Sequence, residues 1–177
     1  MNAFEQLVAD CLFREGYWTI TAFKVELSKE EKQTIGRPSS PRWELDIVAY
    51  RPATKDLMVV ECKSYLDSQG VNPSDLKGTG KNASRYKLFT DRMLWRVVSD
   101  RLVKQLKSRQ LIHENVKPRL ALAYGKSKDE AALNEMAESN GWQMFGPRWL
   151  CEALDDMAAD GWQNSTSSIA AKLLRTL

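Results

Sequence analysis

Charged residues interrupt two largely apolar segments of the chain. Asp46 stands inside the stretch Trp43 to Tyr50, and Glu61 and Lys63 end the run that begins at Leu57. In an extended strand, residues i and i+2 share a face, so Glu61 and Lys63 point one way and Cys62 the other. Pro52, in the short segment between the two runs, marks a turn, and the resulting antiparallel pair can set Asp46 beside Glu61. Two carboxylates brought together away from bulk water repel each other at a cost in free energy. A divalent cation removes that cost, and hard carboxylate oxygens suit Mg²⁺, with Mn²⁺ as a substitute. Such a metal polarises water and stabilises charge at phosphorus, and Lys63 orients the water or neutralises charge developing on the phosphate. The chemistry expected of Asp46, Glu61 and Lys63 is therefore phosphodiester hydrolysis. The same pattern also suits a structural ion pair of Glu61 with Lys63 or Arg42.

These residues need a scaffold. Phe4, Leu7, Val8, Cys11 and Leu12 recur at helical spacing, which predicts a helix over Asn2 to Arg14 ended by Gly16. Tyr17 to Leu27 reads as a strand, Ser28 to Arg42 as a polar connection, and Trp43 to Tyr50 and Leu57 to Cys62 as two further strands. Tyr65 to Asn82 reads as a loop with a short helix near Pro73. Asp91 to Ile112 is helical, with Met93, Leu94, Val97, Val98, Leu102 and Leu106 on one side. A strand over Arg119 to Tyr124, a helix over Ser127 to Ser139, a short strand over Trp142 to Phe145, a helix from Pro147 and a last helix over Ile169 to Leu177 complete the chain. Three consecutive strands form an antiparallel meander, the helix-linked strands extend it, and the expected fold is a mixed α/β sheet with helices on both sides.

The chain has 177 residues, enough for one sizeable core, so a single domain over 1–177 is expected. Hydrophobic residues make up 43 % and charged residues 28 %, which excludes a disordered or collagen-like chain. No apolar run is long enough to cross a membrane as a helix. Met1 to Asp10 carries no basic residue, unlike a signal or transit peptide. Cys11, Cys62 and Cys151 are odd in number and far apart, which fits a reducing, cytoplasmic setting. His113 is the only histidine, which excludes a His-rich zinc site.

The net charge of +3 is unevenly spread. Lys77 to Arg109 holds ten basic residues against Asp91 and Asp100, whereas Ser127 to Asp160 holds eight acids against Lys128 and Arg148. A basic segment concentrates polyanions, and Lys77, Lys81, Arg85 and Lys87, with Arg42 from the earlier connection, are the candidate DNA-backbone contacts. An ordinary solvated helix face would carry the same charges.

With Asp46, the tripeptide Glu61-Cys62-Lys63 and the opening helix bearing Glu5 in place, the chain resembles the PD-(D/E)XK, or restriction-endonuclease-like, nuclease superfamily. It is most similar to the Holliday-junction resolvase and Mrr-like branches. Leu45 stands where the family's name has proline. The resemblance covers about 1–124 and implies an α-β-β-β-α-β core, with 125–177 as a C-terminal helical extension. It also implies that Glu5 and the main-chain carbonyl of Cys62 join Asp46 and Glu61 around the metal. The expected function is a Mg²⁺-dependent endonuclease of DNA with little sequence preference. A homodimer is compatible with this reading and a membrane partner is not. The alternatives are a nuclease-like module that binds nucleic acid or a partner protein without cutting, and a chance motif in an unrelated α/β protein.

Overall fold

The structure is a computed structural model and describes residues 2–39, 42–113, 116–161 and 163–176. Of the residues named above, Met1 and Leu177 lie outside the described residues, as does Pro41 within the 28–42 connection.

The first helix, α1 (Ala3–Arg14), starts at a capping box in which Asn2 and Glu5 satisfy each other's backbone amides. Gly16 follows it in the left-handed region, with φ of 85°. Strand β1 (Trp18–Val25) comes next. The sequence predicts an unstructured connection from Ser28 onward, but Lys29–Thr34 forms a short helix, α2. It buries no residue, so it leaves no apolar periodicity to read; its signal is the reciprocal Ser28–Glu31 cap. Strands β2 (Trp43–Arg51) and β3 (Asp56–Lys63) follow. Then come the short helices α3 (Pro73–Leu76) and α4 (Lys87–Thr90) and the long α5 (Arg92–Ser108). The chain ends with β4 (Pro118–Tyr124), α6 (Glu130–Asn140), β5 (Gln143–Phe145), α7 (Pro147–Ala159) and α8 (Thr166–Arg175).

The five strands form one mixed sheet in the order β1-β2-β3-β4-β5. The first three are antiparallel neighbours, and β4 and β5 add in parallel. The sheet is apolar on both faces. Val48, Tyr50, Leu57, Val59 and Leu122 pack with Leu76, Leu88, Leu94, Leu102 and Leu133 from α3 to α6. Ile47, Ala49, Met58, Val60 and Ala121 pack with Val8 and Leu12 of α1, Leu150 and Met157 of α7 and Ala171 of α8. The elements after β4 thus supply an edge strand, one helix of the first layer (α6) and two of the second (α7 and α8).

One irregularity bears on the site. Along β1 and β2 the pairs Thr21–Ile47 and Phe23–Leu45 flank a position where Ala22 and Asp46 would face each other but do not pair. Ala22 adopts φ of 51°. On β2, Leu45 belongs to the same core as Val48 and Tyr50, while Ile47 belongs to the opposite one. The in-out alternation therefore breaks at Asp46, and its side chain is not committed to either core.

Candidate active site

Strands β2 and β3 pair as far as Ile47–Val60, so Asp46 and Glu61 stand opposite each other just beyond the last ladder pair. There the Asp46 carboxylate takes over from the backbone: its Oδ2 accepts the Cys62 N–H at 2.7 Å. This contact holds Asp46 in the line of the ladder and aims the rest of its carboxyl at the end of β3. Glu61 and Lys63 emerge together from β3, and the Lys63 ammonium donates to Glu61 Oε1 at 2.5 Å. Both side chains are largely buried, at 19 % and 16 % exposure. Lys63 also lies over the ring of Tyr86, 5.8 Å from its centroid.

Glu5 approaches from α1 and is 9 % exposed. One of its carboxylate oxygens accepts from the Asn2 backbone at 3.0 Å and the other from the Asn2 side-chain amide at 2.6 Å. Its charge is felt at both Asp46 and Glu61.

The electrostatics follow from one ammonium facing three carboxylates. Burial pushes the Asp46 pKa up, and Glu5 and Glu44 add to the rise against the Cys62 amide and Lys63. Burial likewise raises Glu61, with Asp46 and Glu5 reinforcing it and Lys63 opposing. For Lys63, burial favours the neutral amine, but Glu61 and Asp46 outweigh it, and its pKa is raised. With every group ionised, Lys63 leaves the cluster with excess negative charge.

The residues match a small hard cation in donor type. Mg²⁺ characteristically uses one or two carboxylates and completes its shell with water and substrate phosphate. Asp46 and Glu61 supply that pair. Among the described residues no group of three or more His, Cys, Asp or Glu side chains could hold a metal ion by itself. The Cys62 side chain is buried in the core beneath α1, and burial pushes its thiol pKa well up. Any oxygen it offers is therefore its main-chain carbonyl.

The candidate nucleic-acid contacts separate in space. Lys81 and Arg85 line a groove beside Tyr65, and Lys77 is exposed at the C-terminal cap of α3, outside that groove. Lys87 is half-buried in α4. Arg42 pairs with Glu26 at 3.4 Å, so the ion pair of Glu61 is with Lys63 and not with Arg42. Three participants escaped the sequence reading. Tyr86 carries no motif, Ala22 shows itself only by its backbone angle, and Lys128 sits in the acidic segment.

The chain matches no known protein-family model and no curated protein. Among solved structures it is similar to one described as the crystal structure of a protein of unknown function, AF1548, at 15 % identity and a TM-score of 0.46; the match covers 97 % of this chain and 76 % of that one.

Proposed function

We propose that the protein is a metal-dependent endonuclease that hydrolyses DNA phosphodiester bonds, a member of the PD-(D/E)XK superfamily. The observation that carries this reading is the convergence of Asp46, Glu61 and Lys63 at the end of the β2–β3 ladder, with more negative charge than Lys63 offsets. Asp46 and Glu61 hold Mg²⁺, with the Cys62 carbonyl and Glu5 completing or supporting the site. When bound, that ion lowers the pKa of a coordinated water and offsets charge on the phosphate. The chain's own residues do the rest. Asp46 is fixed by the Cys62 amide and Glu61 by Lys63, so neither has to reorganise as the substrate arrives. Lys63 positions the attacking water and donates to a non-bridging phosphate oxygen. The water oxygen bonds to phosphorus and gives up a proton to solvent, the bond from phosphorus to the leaving sugar oxygen breaks, and the leaving oxygen takes up a proton from solvent.

One observation favours the second reading, a binding module that does not cut. Glu61 is already paired with Lys63 at 2.5 Å, a closed contact that a structural ion pair would also show. A plasmid-nicking assay separates the two. The enzyme reading expects nicking with Mg²⁺ or Mn²⁺, none with EDTA, and a loss of about 10²-fold or more in Asp46→Ala and Lys63→Ala. Absence of nicking with either metal, or undiminished nicking by Asp46→Ala, overturns it.

A further inference from the structure

A groove of about 780 Å³ opens beside the carboxylate cluster, between the segment after β3 and the segment after β4. Its walls carry Lys81, Arg85 and Lys128, the amides of Asn72 and Asn82, and Tyr65. Lys81 and Arg85 come from one segment and Lys128 from a distant one. A single parallel bridge, Val71 with Ser127, brings them together. Val71 donates to the Lys126 carbonyl and Lys128 donates to the Val71 carbonyl, both at 2.9 Å, and this places Lys128 on the groove wall.

The loop that presents Lys81 is held in shape. Thr79 and Gly80 both donate to the Ser74 carbonyl, at 3.0 and 2.9 Å. Asp75, only 4 % exposed, accepts the Asn82 backbone N–H at 2.9 Å. Gly80 passes so close that a Cβ there would lie 2.0 Å from Asp75 Oδ1. Asp75 also lines the groove and its charge reaches Arg85, so the wall carries one buried carboxylate against Lys81, Arg85 and Lys128, which are exposed. The groove also adjoins the proposed catalytic residues. Arg85 reaches the Tyr65 hydroxyl at 3.4 Å, and Lys63 lies over the ring of Tyr86, the residue that follows Arg85.

We infer that this groove binds one phosphate-bearing nucleotide of a single nucleic-acid strand. Three convergent cations suit a phosphate. An aromatic ring beside side-chain amides suits an unstacked base, which a duplex does not offer. The volume is that of a small-molecule pocket and too small for a duplex. The inference rests on the nuclease reading only in naming the strand as that of the substrate. The phosphate is either an in-chain phosphodiester or a strand-terminal monoester.

The test is binding of a short oligodeoxythymidylate, with and without a 5′-phosphate, measured by fluorescence anisotropy in EDTA. The combined variant Lys81→Ala, Arg85→Ala, Lys128→Ala should lose about tenfold or more in affinity and flatten the log–log salt slope by about two units. A charge-matched combination on α5 (Arg96→Ala, Lys104→Ala, Lys107→Ala) should bind as the wild type does. A wild-type preference for the 5′-phosphorylated strand that the groove variant loses identifies the monoester. Equal binding of both strands, lost in that variant, identifies the phosphodiester. The inference is overturned if the wild type binds neither strand, if the groove variant stays within about twofold of wild type, or if the α5 combination loses as much. Binding without any nicking overturns the nuclease reading alone, and nicking with an unaffected groove variant overturns the groove alone.

Discussion

Asp46 and Glu61 work against the fold at neutral pH. A carboxyl whose folded pKa lies above its ordinary value, 3.8 for Asp46 and 4.5 for Glu61, holds its proton more tightly in the native state. Its stabilising contribution is present below that ordinary value and is lost as pH rises through the folded one. Asp46→Asn keeps an oxygen for the Cys62 amide and removes the charge. At pH 7 in EDTA it should raise stability by about 1 kcal/mol, a few degrees in Tm, and the gain should vanish near pH 4. Mn²⁺ should raise the Tm of the wild type and leave that of Asp46→Asn unchanged. Thermal scans with and without Mn²⁺ check both, and a variant less stable than wild type at pH 7 refutes the assignment.

Asp56 shows the opposite sign at the far end of β3. Arg119 grips it through two bonds of 2.8 and 2.7 Å and, with the Tyr17 hydroxyl, outweighs burial to pull its pKa down. Its contribution is present above the ordinary value of 3.8 and is lost as pH falls through the depressed one. Asp56→Asn should cost about 1–2 kcal/mol at pH 7, and the difference from wild type should close in acid. Denaturant melts at pH 7 and pH 3 measure it, and a gap that widens in acid would contradict this origin.

At the scale of elements, the break in β1 and β2 deserves a direct test. Ala22 at φ of 51° sits where a Cβ is unfavourable, at a cost of roughly 1 kcal/mol. Ala22→Gly should be neutral to stabilising by up to about 1 kcal/mol, and the β-branched Ala22→Val should lose about 2 kcal/mol or more. The valine variant should also impair nicking, because a strand forced back into regular alternation commits Asp46 to one face. Equal stability of the two variants would show that the left-handed angle is not maintained in solution. The sequence gives no warning of this break. Alanine is only mildly disfavoured in strands, and the pattern around it reads as continuous β. Asp46 itself is legible, as an acid flanked by Leu45 and Ile47, and so is the shared face of Glu61 and Lys63, which follows from strand pitch. Helix α2 hides for another reason: its stability comes from its cap and from the Glu31–Arg101 pair at 2.9 Å, not from an apolar stripe.

Over the whole molecule, the sheet joins two cores, and the carboxylate cluster lies at one end of their shared wall. Strand β3 has paired neighbours on both sides and apolar contacts on both faces, whereas α2 buries nothing. Hydrogen exchange should therefore place β3 amides at the global unfolding free energy and α2 amides far below it. Mass-spectrometric exchange in EDTA reads this directly. Protection of α2 matching β3 would mean that α2 is covered in solution.

Local chemistry written along the chain was sufficient for the strands and the longer helices and for their order. Apolar periodicity marks α1, α5 and the strands, and Gly141, at φ of 68°, closes α6. The pairing of acids with Lys63 was likewise available, because i and i+2 must share a face. Only the tertiary structure decided which charges meet. Lys128 belongs to an acidic stretch in sequence and to a basic groove in space, because one bridge at Val71 carries it there. Arg42, a candidate DNA-backbone contact in sequence, lies beside Glu26 in space. Covalent spacing governs what lies within a few residues, but a charge acts over ångströms in space, and the neighbours at that range are chosen by how the sheet and helices pack.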